Sequence, residues 1–387
     1  MRGVRTSGAF RAISHPTKLL GKDVITILGV ESSADDTCAA VVTSDRRILS
    51  NVVLRQDEYH RPLGGIQPYV AIEAHQRHLP GVVEQALQKA GMYIEDVDGI
   101  AYTRGPGMPG CLSVGSNAMK TLATALRKPL IGVNHMHAHA LTPFLTQPPE
   151  SRPTYPFLTL LVSGGHTMFV LAKSPRDFEV LAATQDEAIG RTVDKVARLL
   201  KIPWGDGGLG ASLERYVLAG PPEGYNEQEG YEIPIYSTPM PKSVDLAFGA
   251  YHSITERFLR GREDTIDENT RYAVAKSFQR AIVRQLEDKL GLIFRQLKDD
   301  RIQIHHLVVS GGVASNSFVR EGPTPVKLVF PPVSLCTDNA AMVAWASMDR
   351  FLAGESDPGT TELLPKWSID NLDAPPNRGP LPGWRQS

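Results

Sequence analysis

The chain has 387 residues, 42% of them hydrophobic and 21% charged, with 41 basic against 42 acidic side chains. That length exceeds one ordinary core, so two domains are expected, and the near-neutral balance excludes a general polyanion binder. No run approaches the ~18 consecutive apolar residues of a membrane span. Cys38, Cys111 and Cys336 lie too far apart for a disulfide framework or a C-x-x-C metal site, which suits a reducing compartment.

The first 22 residues carry Arg2, Arg5, Arg11, Lys18 and Lys22 with no acid before Asp23. Interspersed Ser and Thr make this an organellar transit peptide by composition, with mitochondria the first expectation and a disordered basic tail the alternative. Beyond it, 36 basic residues face 42 acidic ones, so any RNA contact needs a local basic patch. Val24–Val30 predicts a buried strand feeding the polar loop "ESSADDT". His75 and His78 in "EAHQRHLP" fall one turn apart on a predicted helix; beside Arg77 they suit a solvated or packing role.

"VNHMHAHAL" then crowds His135, His137 and His139 into five positions. The Pro-rich "TQPPESRPTYP" (146–156) is the expected crossing between lobes. "FLTLLVSGGHTMFVLA" predicts a strand, the turn Ser163-Gly164-Gly165 and a second strand from Thr167 to Leu171. "DEAIGRTVDKVARLLK" predicts an amphipathic helix, 220–242 a loop-rich insertion, and 271–298 a long helix with Val274, Phe278, Ile282, Leu286, Leu290 and Ile293 on one stripe. Leu307–Val309 leads into a second Ser-Gly-Gly, Ser310-Gly311-Gly312. Little regular structure is expected after Pro365. Three strands, each ending in a small polar turn, predict an α/β protein built from related halves.

Glycines directly after a buried strand let the backbone approach a ligand, and the free N–H groups of such turns attract phosphate. Two such turns plus an acidic loop resemble the phosphate and adenosine loops of the two-lobe actin-like ATPase fold shared by sugar kinases and Hsp70. Neither a P-loop nor a Rossmann glycine pattern occurs in the right context. On a helix, His135 and His139 face the same way and suit one divalent ion, while His137 points away. Met136 stands where H-E-x-x-H needs its glutamate, which opposes a metalloprotease. An open catalytic site needs a third ligand, and Asp338 in "LCTDNAAMVAWA" offers one ahead of a small-residue helix. Spacing alone leaves ordinary polar turn residues as an equal alternative.

"GVESSADDT", "NHMHAH", "LLVSGGHT", "VSGGVASN" and "CTDNAAMVAWA", in this order, resemble the TsaD family of tRNA threonylcarbamoyladenosine synthases from about Ile25 to Trp367. Histidine after the first Ser-Gly-Gly, and Leu161 where the archaeal and cytosolic branch has Tyr, are similar to the bacterial and organellar branch. The resemblance implies that His135, His139 and Asp338 hold one divalent metal, iron or zinc. It implies substrate contacts by Leu161, Val162, Ser163, Gly164 and Gly165, by Asp194, by Gly210 and Glu214, and by Ser315 and Asn316. The expected reaction moves threonylcarbamoyl from threonylcarbamoyl-adenylate to N6 of adenosine 37 in ANN-decoding tRNAs. Asp35 and Asp36 match the family's acidic pair, and either could accept the N6 proton; a loop or metal-shell role suits them equally.

The expected organisation is a leader (1–22), a first lobe with the histidines (23–150), a second lobe with the nucleotide loops (151–367) and a Pro-rich tail (368–387). A homodimer without membrane contact is expected. Three departures from the family pattern stand out: a shortened segment after Asn316, His252 where a lysine is common, and Arg191 where bacterial members often carry Glu. Two rivals remain on sequence grounds. A small-molecule kinase of the same fold is opposed by the histidine pair, since kinases prefer all-oxygen magnesium sites. A non-catalytic nucleotide-binding scaffold is opposed by the complete ligand set and favoured by the shortened segment.

Overall fold

The computed structural model describes residues 22–227, 230–262, 265–316 and 325–373. Two five-stranded sheets repeat one plan. The first contains β1 (Thr26–Glu31), β2 (Asp36–Thr43), β3 (Ile48–Arg55), β4 (Gly99–Gly105) and β5 (Leu130–Asn134), in the order β3-β2-β1-β4-β5. The second contains β6 (Phe157–Val162), β7 (Thr167–Ala172), β8 (Phe178–Ala183), β9 (His306–Ser310) and β10 (Lys327–Val329), in the mirrored listing β10-β9-β6-β7-β8. In each half an antiparallel meander of three strands continues into two parallel ones. The related halves expected from sequence are therefore two copies of one topology, the two-lobe actin-like arrangement.

Strand β1 is buried on both faces, which is why "ITILGV" reads as continuous apolar sequence. Leu28 and Val30 face α2 (Pro68–Ala90) and α3 (Pro109–Leu126), while Ile25 and Ile27 face the opposite side, into the core between the two sheets. The second sheet carries α5 (Ile189–Leu199), α6 (Gly208–Leu218), α7 (Gly249–Leu259) and α8 (Glu268–Asp299), after the short α1 (Asp57–His60) and α4 (His135–Thr146) of the first half. All six residues of the predicted α8 stripe are buried. The 220–242 segment is largely irregular, and the buried Lys289 of α8 donates to the carbonyls of Pro239, Met240 and Ser243.

Between the sheets lies a shared apolar core in which α4 meets α10 (Ala340–Ala346), the latter preceded by α9 (Val333–Cys336) and followed by α11 (Met348–Leu352). Residues 340–367, expected in the second lobe, pack on the first sheet as well as joining the core shared with the second. Helix α10 packs on β1, β2 and β4, Asp357 N donates to Leu130 O, Leu364 N to Arg104 O, and Asn134 Nδ2 to Trp367 O. The inner face of the first sheet needs an apolar cover, and the chain returns to provide it; a cut into consecutive segments cannot represent that return. The crossing at 146–156 does lie between the sheets, between α4 and β6. The expected leader, apart from Lys22, the shortened segment after Asn316 (317–324) and the tail beyond Asp373 fall outside the described residues. Among those described, no helix is long and apolar enough to cross a membrane.

Candidate functional site

Three adjacent parallel strands, β1, β4 and β5, end together, and ligands of open α/β sheets sit beyond such strand ends. At the end of β5, Asn134 caps α4 by accepting from His137 N at 3.1 Å, so the helix begins with His135 facing the lobe junction. Asn339 caps α10 in the same manner, accepting from Met342 N at 3.0 Å, which sets Asp338 just ahead of that helix. The two capped starts bring the predicted trio together. His139 Nε2 lies 3.1 Å and His135 Nε2 3.4 Å from the same Asp338 Oδ1, and one ligand atom from each residue fits within 4.8 Å of the others. The imidazoles meet edge to face at 4.7 Å. His137 points away, donating from Nε2 to Pro175 O at 2.8 Å against the Phe178 ring.

The electrostatics fit a cation. Burial pulls His135 down, but Glu31 and Asp338 outweigh it and hold the imidazole well above its ordinary value. Asp338, despite burial, is held well below the usual carboxylate range by His135 and His139. Burial keeps His139 below its ordinary value, and its Nδ1 is buried without a partner. Two nitrogens converging on one carboxylate oxygen, with positive charge favoured between them, suit a divalent ion.

Beside this trio opens a cleft of about 800 Å³. Gly164, Asp194, Gly210, Glu214 and Asn316 line its second-lobe wall, so five predicted contacts share one surface. Asp194 Oδ1 accepts from Gly210 N at 3.0 Å, tying α5 to α6. Burial pushes its carboxyl up to about 6 against the lowering effects of that N–H and Arg198. Ser163 Oγ accepts from Gly165 N and His166 N, closing the turn, and Gly165 stays exposed. The second Ser-Gly-Gly turn requires glycine: Gly311 has φ +104°, and a Cβ there would stand 2.3 Å from Val162 O. Ser315 ends the 3-10 turn that follows, next to Asn316.

Leu161 and Val162 sit differently. Their side chains are buried, Leu161 in the interlobe core and Val162 in the second-lobe core, which leaves only their backbone for a ligand. Asp35 and Asp36 lie where Asp338 is felt electrostatically. Burial and Asp338 raise Asp35 to about 6, whereas burial and Asp35 push Asp36 well above its ordinary range. His75 is fully buried, accepting from Thr37 Oγ1 and donating to Ala34 O, so it braces the acidic loop; His78 meets Tyr59 at the surface. Burial holds His166 down at about 4, neutral near the trio.

Sequence reasoning passed over three groups. Glu31, inside the quoted "GVESS", is buried and bonded to His135. Arg55 and Lys89 line the first-lobe wall of the cleft. Strand register reveals Glu31, the edge position of β3 reveals Arg55, and the packing of the end of α2 beside the cleft reveals Lys89.

A two-lobe actin-like protein whose cleft carries glycine turns, acids and a group able to hold one cation is the class defined here. Residues 47–345 match the family profile of tRNA N6-adenosine threonylcarbamoyltransferase, TsaD. A tRNA N6-adenosine threonylcarbamoyltransferase of Sphingopyxis alaskensis is 40% identical over 353 residues, 89% of this chain and 95% of that protein. One of Cereibacter sphaeroides is 37% identical over 372 residues, 92% and 96% of the respective chains. Full-length HypF, solved in a phosphate- and nucleotide-bound form, shares the fold at TM-score 0.50 and 13% identity, over 86% of this chain and 47% of that one. The chain belongs to the TsaD family of tRNA N6-adenosine threonylcarbamoyltransferases and is a transferase of the acyltransferase type.

Proposed function

We propose that the protein transfers threonylcarbamoyl from threonylcarbamoyl-adenylate to N6 of adenosine 37 in ANN-decoding tRNAs, in mitochondria, as a homodimer with one divalent iron or zinc ion. The observation that carries the reading is the convergence of His135, His139 and Asp338 beside a cleft lined by Gly164, Asp194, Gly210 and Asn316.

The donor is a mixed anhydride, already activated, while the acceptor amine is poor because its lone pair is delocalised into the purine. Attack forms the N6–carbonyl bond, breaks the bond to the phosphate oxygen, and releases AMP with that electron pair. N–H groups of the two Ser-Gly-Gly turns receive the phosphate, and Asp194 and Asn316 hold the nucleoside end. His135, His139 and Asp338 would hold the cation, whose chemistry there would be that of a Lewis acid. Asp35 is the better proton acceptor of the acidic pair: near 6 it is ionised at neutral pH, whereas burial and the neighbouring Asp35 push Asp36 well above its ordinary range, which disfavours its charged form.

The test incubates threonylcarbamoyl-adenylate with unmodified ANN-decoding tRNA and the full chain, with His139→Ala as control. Modified tRNA from the intact protein and a large loss in the variant are expected. Equal product from both removes the cation group from the mechanism, and no product from either removes the reading. Organelle fractionation with N-terminal sequencing checks the leader, and light scattering the dimer.

A further inference from the structure

Glu31 ends β1 fully buried. One oxygen accepts from Ser33 N; the other accepts from Thr103 Oγ1 and, at 3.0 Å, from His135 Nδ1. The parallel pairing of β1 with β4, Val30 opposite Tyr102, places Glu31 level with Thr103, and β5 brings His135 alongside. For stability alone, an apolar residue would serve as well or better than a buried ion. His139 offers the contrast: its Nδ1 is buried and unpartnered.

We propose that Glu31 is a positioning residue that fixes His135 in the Nδ1–H tautomer and so keeps the Nε2 lone pair aimed at the cation. An imidazole has two nitrogens, and only a partner on one of them decides which remains free to coordinate. A carboxylate can only accept, so once a cation occupies Nε2 beside Asp338, Glu31 keeps the remaining proton on Nδ1. Thr103 from the next strand and Ser33 from the following loop lock the carboxylate in turn. His139 has Asp338 at Nε2 but no partner on Nδ1, which makes His135 the pre-set ligand and His139 the adjustable one. This rests on the trio as a cation group and not on acyl transfer.

The test measures Zn²⁺ affinity of the metal-free full-length chain by competition with a chromophoric chelator, without tRNA or donor. Long-range ¹H–¹⁵N spectra of histidine-labelled, Zn²⁺-loaded protein read which His135 nitrogen keeps its proton once the cation has taken the other. Glu31→Gln keeps the volume, but its amide can accept or donate, so both tautomers become accessible. Glu31→Asp keeps the charge and withdraws it by a methylene. Both variants are expected to bind Zn²⁺ about 10- to 100-fold more weakly, the range for such outer partners, with a mixed tautomer in Glu31→Gln. Wild-type affinity in Glu31→Asp beside a loss in Glu31→Gln would mean that charge at a distance suffices, which overturns positioning. Wild-type affinity in both overturns it outright. Should Glu31→Gln fail to fold, Thr103→Val frees the same carboxylate from one side; a several-fold loss supports the proposal and no change overturns it. His139→Ala is the reference: if it too binds normally, the cation reading of the trio is what fails.

Discussion

A Cβ placed on Gly29 would stand 2.5 Å from the carbonyl oxygen of Ala340 and 2.9 Å from the Ala344 side chain. The middle of β1 and the start of α10 thus touch backbone to backbone, and Asp338 lies two residues before that contact. Gly29→Ala must push α10 outward. Overpacking of this kind costs about 1–3 kcal/mol, and here it also moves Asp338 away from the histidines. We expect a lower melting temperature together with weaker Zn²⁺ binding. Destabilisation with intact Zn²⁺ affinity would show that Asp338 does not ride on α10.

Asp194 couples stability to function with a definite sign. Its carboxyl stands at about 6 because of burial, above the ~3.9 of an unfolded chain. Between those values the folded protein binds more protons than the unfolded one, so stability falls as pH rises through the window, and the full cost is present above it. Asp194→Asn keeps an acceptor for Gly210 N and removes the ionisation. The variant should melt higher than the parent at pH 7.5, by about 2 °C, with the difference closing near pH 4, while donor binding weakens. Parallel melting curves across pH 4–8 would contradict the assignment.

The acidic pair makes a kinetic prediction. With Asp35 near 6 and Asp36 well above its ordinary range, kcat/KM should rise with pH through one limb at or below about 6, lower with a cation bound because its charge favours the carboxylate. Asp35→Asn should lower the rate by about 10²- to 10⁴-fold and abolish the limb. Asp36→Asn should leave the limb in place. The reverse pattern would move the base to Asp36.

Much of this site was legible because it depends on local pattern. The i, i+4 spacing of His135 and His139 and the Asp338-Asn339 start of a small-residue helix are one-dimensional signals, and α4 and α10 realise them through their caps. Three strands, each running into a small polar turn, predicted the related halves for the same reason, β1 heading the first and β6 and β9 lying in the second. What escaped depends on pairing between distant segments. Glu31 reaches His135 only because β1, β4 and β5 lie side by side, and residues 340–367 joined the first sheet to cover its apolar inner face. Leu161 and Val162 belong to a motif that mixes strand and turn; alternation alone does not tell which of its residues keep their side chains in the core.

The first-lobe wall of the cleft supplies the last prediction. Arg55 comes from the edge strand β3 and Lys89 from the end of α2, both exposed, facing a wall that carries Asp194 and Glu214. The chain lacks an overall positive charge, so tRNA binding calls for a local grip, and these two exposed cations line the cleft. Phosphate contacts release counterions, and each one removed lowers the slope of log affinity against log salt by close to one. Arg55→Ala with Lys89→Ala should therefore weaken tRNA binding several-fold at low salt and reduce that slope by about 2, leaving Zn²⁺ affinity unchanged. An unchanged slope would place the RNA on another face of the protein, because a salt-insensitive substitution cannot have removed a phosphate contact.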